Sequence, residues 1–132
     1  MAAFLSAAWV EDLDRAARAS ARLTAVGRAG RLVVEQRVTG TPTGDLSYHV
    51  VIDDGGAQVR NGAAPDANIV ITTDYSTAVS LHSGATNAQL ALSSGILRLK
   101  GDVGQIVRRA EALKALDDVF ASVRTTTTVT VA

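Results

Sequence analysis

The chain contains no cysteine, which removes disulfide staples, thiolate chemistry and most structural zinc sites together. It has no excess charge of either sign, with thirteen basic and thirteen acidic residues. Nothing in that balance attracts the whole molecule to nucleic acid or to an anionic membrane. The local basic groups Arg15/Arg18/Arg22 and Arg108/Arg109 fall in helical patterns with acids nearby and read as solvated helix faces. No apolar run approaches the ~18 residues that would cross a bilayer, so stable membrane insertion is not expected. The first residues lack the basic start and long apolar stretch of a secretory leader, and the last residues are not a Ser-Lys-Leu signal. A cytoplasmic location is the expectation.

Catalytic equipment is scarce as well. The chain has two histidines, His49 and His82, and neither has a carboxylate at relay or metal-ligand spacing. His49 falls on the polar side of its strand and His82 ends a helix, so both read as surface or structural residues. No G-x-S-x-G elbow accompanies the serines. The pairs Asp53/Asp54 and Asp117/Asp118 are adjacent only in sequence, in a turn and on a helix flank. GDVG at 101–104 follows a strand and opens a helix, but it lacks a G-x-G-x-x-G pattern and a Walker lysine. Asp102 would repel an anion there, so it reads as a helix cap. No catalytic residue, metal site or cofactor is expected.

What the chain does have is apolar, well-punctuated sequence. Of 132 residues, 47 % are hydrophobic, which excludes global disorder and allows one domain burying roughly 65–70 % of its unfolded surface. That domain is taken as residues 1–124, with 125–132 as a tail. Ser6 caps a helix from 7 to about 25, ended by Gly27 and Gly30. A strand at 32–38 puts Val34, Gln36 and Val38 on one side and Glu35 and Arg37 on the other. TGTPTGD is a turn by composition. Leu46, Tyr48, Val50 and Ile52 then alternate with Ser47, His49 and Val51, and DDGG makes a hairpin into a strand at 57–61. The strand at 68–73 has three apolar residues in a row and belongs inside a sheet.

Asp74 caps a helix at 75–83, a short helix is expected at 87–94, and a strand at 96–100. Asp102 with Gln105 starts the last helix in the manner of a capping box, whose stripe includes Ile106, Leu113, Leu116, Val119 and Phe120. The tail has strand propensity and can fray or pair with the edge strand of a second copy. Helices grouped around one mixed, mainly antiparallel sheet make an α+β domain.

This order and its punctuation resemble the sterol carrier protein 2 family of lipid-binding domains. The matching pieces are the helical start with Trp9, VVIDDGGAQVRNG, DANIVITTDYSTAVSLHSG and AQLALSSGILRLKGD. In the last piece Gly95, Leu97, Arg98, Leu99, Lys100, Gly101 and Asp102 fit the family pattern, while Ile96 stands where a basic residue usually follows the glycine. The resemblance, together with the heavy use of Ala, Arg, Val and Thr, implies a stand-alone bacterial member. It also implies a five-stranded sheet covered by helices, with an apolar cavity between the layers that holds a fatty acid, fatty acyl-CoA, sterol-like or other apolar molecule without converting it.

Candidate wall residues on the strands are Val34, Val38, Tyr48, Val50, Ile69 and Ile71. Leu81, Leu90, Leu97, Leu99, Ile106 and Leu113 would close the space from other elements, and Gln36 and Gln89 would meet a ligand's polar end. Each methylene moved from water into such a space gains about 0.8 kcal/mol, so a chain of a dozen carbons reaches micromolar binding after ordering costs. The alternative is an interaction or dimerisation module with the same residues as a filled core and a second copy as its partner.

Overall fold

The computed structural model describes residues 2–83, 98–101, 104, 108–123 and 127–128. A two-residue strand β1 (Ala2–Ala3) precedes helices α1 (Ala7–Ala19) and α2 (Ala21–Gly27). Strands β2 (Leu32–Thr41), β3 (Gly44–Asp53), β4 (Gly56–Asn61) and β5 (Ile69–Asp74) lead to α3 (Tyr75–Ser83). Strand β6 (Arg98–Gly101), helix α4 (Ala110–Val123) and β7 (Thr127–Thr128) follow. The strands β4-β3-β2-β5-β6 form a single sheet in that order, parallel between β2 and β5 and antiparallel elsewhere. It is the mixed, mainly antiparallel α+β arrangement implied by the sequence, with β5 in the interior of the sheet.

The register explains the alternation. Ile69, Val34, Val50 and Val59 are cross-strand neighbours, and two residues along come Leu99, Ile71, Gln36, Tyr48 and Asn61. Side chains in register share a face, so these residues look toward the helices. α1 lies against β4, while α2 touches β3, β4 and α4. Asp14 on α1 accepts a hydrogen bond from the Val59 N–H (2.8 Å) on β4, which satisfies a donor on the sheet's edge strand.

Three local outcomes differ from the sequence reading. The first helix is two helices. Ser20 leaves the helical conformation (φ −79°, ψ 106°), and its Oγ accepts from the Leu23 N–H at 3.1 Å. A serine that can satisfy backbone donors locally ends one helix and starts the next, which lets α2 turn onto α4. The turn TGTPTGD is also shorter than its composition suggests, since β2 runs to Thr41 and β3 starts at Gly44. An irregularity between Val38 and Thr41 absorbs the extra residues, with Gly40 at φ +67° in the region a bulge requires. Finally, two residues of the expected tail, Thr127–Thr128, pair in parallel with the chain's own Ala2–Ala3.

Gly101 shows why a glycine closes β6. Its φ is +110°, and a Cβ there would collide with the Asn68 carbonyl on the approach to β5, so both conformation and space exclude a side chain.

Candidate ligand site

Ser6 accepts a hydrogen bond from the Trp9 N–H (3.1 Å) and anchors the start of α1. Helical spacing then puts Trp9, Leu13 and Ala17 on one buried stripe. Before it, Leu5 takes a left-handed φ of +67°, a costly conformation for a branched residue, and the chain reverses so that Phe4 lies against Trp9. Their ring centres are 5.1 Å apart, edge to face.

Trp9 is the hub of a single aromatic group. Tyr48 from β3 meets it edge-on at 5.4 Å, Phe120 from α4 lies parallel to it at 6.4 Å, and His82 from α3 lies 6.2 Å away. Phe4 stacks on His82 at 4.6 Å and reaches Tyr75 at 6.2 Å. The chain has one Trp, two Tyr and two Phe, so all five aromatic residues join this group, drawn from β3, α1, α3, α4 and the segment before α1. Edge-on and offset contacts of this kind each add about 0.5–1.5 kcal/mol beyond area burial.

Polar atoms inside this apolar region are few. The Trp9 indole N–H and the Thr73 hydroxyl are buried and have no hydrogen-bond partner among the described residues. Such groups are uncommon in folded proteins and call for a reason. Burial pushes the Tyr48 hydroxyl's titration upward, so at neutral pH it is a neutral phenol. Gln36 is half-buried beside Tyr48 in the adjacent strand.

Among the residues singled out in the sequence, Val34, Val38, Tyr48, Val50 and Ile69 are buried in this core, and Gln36, Ile71, Leu81 and Leu99 are half-buried. The strand residues among them share the helix-facing side of the sheet. Gln89, Leu90, Leu97 and Ile106 lie outside the described residues, as do Ile96, the expected 87–94 helix and the Asp102/Gln105 cap. Leu113 belongs to α4, but its side chain is outside the described set. The sequence reading left Phe4, Trp9, Tyr75, His82 and Phe120 out of the candidate site. Their scarcity was the available signal, because the few large rings of a chain tend to gather where one core region needs them.

The sheet's other face has a different character. The 62–68 segment crosses it, with the Gly62 carbonyl 2.9 Å from His49 Nδ1 and the Ala64 N–H donating to Glu35 (2.7 Å). Glu35 points away from the helices as expected, yet it is only 1 % exposed beneath this segment. Burial raises its pKa, but the hydrogen bonds from Arg37 and Ala64 and the positive charge of Arg37 outweigh this and hold the carboxyl below its ordinary range. Farther along, Arg37, Thr39, Asp45, Ser47 and Thr72 line a groove of 410 Å³ with Val38 and Leu46. Its guanidinium, hydroxyl and carboxylate groups make it unlike the apolar chamber implied by the resemblance. No group of three His, Asp or Glu side chains among the described residues is arranged to hold a metal.

The model of the SCP-2 sterol transfer family matches residues 10–114. The chain belongs to this family. Similar solved structures include a sterol carrier protein 2 crystal structure, 22 % identical, covering 89 % of this chain and 97 % of its own, with a TM-score of 0.72. A possible sterol carrier protein from Thermus thermophilus is 25 % identical over 91 % of this chain and 89 % of its own, at a TM-score of 0.67. The apo form of sterol carrier protein 2 from Yarrowia lipolytica is 19 % identical over 92 % and 95 %, at 0.65. At such identities these likenesses speak for the SCP-2 fold. No curated protein matches the sequence.

Proposed function

We propose that this SCP-2 family member is a bacterial, cytoplasmic carrier that binds one apolar lipid between the helix-facing side of its sheet and the helices, without converting it. The observation that carries this reading is the Trp9 N–H, a buried donor without an acceptor among the described residues, at the centre of the aromatic group. Inside an apolar wall, a ligand's carboxyl, ester or hydroxyl oxygen would satisfy it, and the alkyl or ring portion would gain from leaving water. Ligand classes of this description are fatty acids, fatty acyl esters and sterol-like alcohols. Family membership supports the reading, and the family name supports a lipid over other apolar molecules.

Displacement of a fluorescent fatty acid, with native mass spectrometry beside it, tests the proposal. At least one lipid class should displace the probe, and Trp9→Phe should weaken that lipid about tenfold by deleting one hydrogen bond while keeping a ring. No lipid detected by mass, and no displacement by any class, overturns carriage.

A further inference from the structure

Among the described residues one carboxylate is buried, and it is given partners. Glu35, on the outward side of the sheet, is held by the Arg37 guanidinium and the Ala64 N–H. The helix-facing side offers a carboxylate nothing comparable. No lysine or arginine is buried among the described residues, and apart from Glu35 and the aromatic rings the buried polar side chains are threonines and His82. The sequence of 84–97 contains no charged residue.

The polar groups that do look toward the helices are neutral. Trp9 is 1 % exposed and Thr73 4 %, and the indole N–H and the hydroxyl have no hydrogen-bond partner among the described residues. Thr73 stands beside Val38 in the β2–β5 register, two residues from Ile71, so it shares the helix-facing side. Tyr48 adds an un-ionised phenol, and Gln36 beside it an amide. The Trp9 N–H can only donate, whereas the Thr73 hydroxyl donates and accepts. Such groups satisfy an oxygen atom but do not neutralise a charge. An ionised carboxylate taken from water without a cation loses more than these hydrogen bonds return.

We propose that the site selects uncharged lipids whose polar end is a hydroxyl or carbonyl oxygen, and discriminates against ionised fatty acids. Long-chain alcohols, alkyl esters and sterol-like alcohols have this chemistry. The ligand oxygen accepts from Trp9 Nε1, and Thr73 is the second residue that sets the preference. The proposal rests on the carriage reading and narrows the ligand of that same site. A pure hydrocarbon fits less well, because it leaves both buried groups unpaired. His82, stacked on Phe4, is the one side chain of the aromatic group able to become a cation, so the test includes it.

Trp9 is the chain's one tryptophan, so its fluorescence reports binding at this site. Titration at neutral pH with dodecanol, methyl dodecanoate and dodecanoate compares three polar ends on matched alkyl chains, with native mass spectrometry beside it. Burial of the chain contributes alike to all three, so their ranking isolates the polar end. The alcohol and the ester should bind at least about tenfold more tightly than the carboxylate. Thr73→Val keeps the side-chain shape and removes an unpaired hydroxyl. It should weaken the alcohol and the ester about fivefold, without lowering the melting temperature of the ligand-free protein. Dodecanoate binding as tight as that of the alcohol overturns the proposal and leaves carriage standing. So does dodecanoate binding that is lost in His82→Gln, which would make His82 its cation, or unchanged alcohol and ester binding in Thr73→Val. If no compound alters Trp9 emission and no complex is detected by mass, carriage itself fails, and the selectivity with it.

Discussion

The two faces of one sheet are built from the same strands, yet the outward one also buries a charge, and that takes different physics. Toward the helices, Val34, Val38, Val50, Ile52, Val59 and Ile69 are apolar and buried against apolar neighbours. On the other side Val33 is buried as well, and so is Glu35, as thoroughly as Val34, with its carboxylate held by the Arg37 guanidinium and the Ala64 N–H. The first face is stabilised by removing hydrocarbon from water, which is nondirectional and roughly additive in area. The second depends on a charge having particular partners, because a buried carboxylate that loses them is costly. Period-two alternation reveals the first kind of burial and is blind to the second.

Replacing Trp9 should expose this contrast most strongly. Trp9→Ala removes the ring that touches Phe4, Tyr48, His82 and Phe120, and should lower the unfolding free energy in urea by about 3–5 kcal/mol. A loss below ~1 kcal/mol would mean that the helix side is loosely filled around that ring.

Glu35→Ala comes next, at about 2–3 kcal/mol near neutral pH, since the Ala64 N–H is left without its acceptor. Its pH dependence distinguishes the two faces. Glu35 titrates near 4.5 when unfolded and lower when folded. Its contribution is therefore whole above about pH 4.5 and is lost as pH falls through the folded value. Urea titrations across this range should show a shallower acid loss in Glu35→Ala than in the wild type. Equal slopes would show that the carboxylate's partners do not stabilise its charged form.

The smallest effects come from one substitution placed on each side. Val50→Thr puts a hydroxyl into the apolar face and should cost about 1–2 kcal/mol, while Val51→Thr, half-buried on the outward face, should stay within about 0.5 kcal/mol. Equal costs in thermal unfolding would erase the distinction between the faces.

These particulars also show where sequence reading succeeds. Tyr48, Val50 and Ile52 announce their face by alternating with His49 and Val51, and DDGG announces the β3–β4 hairpin because few residues supply its backbone angles. The Tyr75–Ser83 helix is legible from Asp74, whose carboxyl is lowered by its hydrogen bonds with Thr77. Ser20 is harder. Helical periodicity runs through it, and the break becomes favourable only because α2 has α4 to turn onto. Arg22 and Arg109 likewise read as solvated helix residues. Yet Arg22 pairs with Asp118 and Glu111 on α4, and Arg109 donates to the Gly30 carbonyl at 2.9 Å. Partners so distant in sequence leave no local mark.

The sequence by itself determined the α+β class, the strand faces, the apolar stock from which the core is built and the absence of cysteine chemistry. All of these follow from local periodicity and composition, which act over a few residues. Only the tertiary structure decided that five aromatic residues and His82 meet around Trp9, and that Glu35 is roofed by the 62–68 segment. Those results depend on the crossover from β4 to β5 and on the angle between α1 and α2. Both are set by packing between segments tens of residues apart, where no local pattern is written.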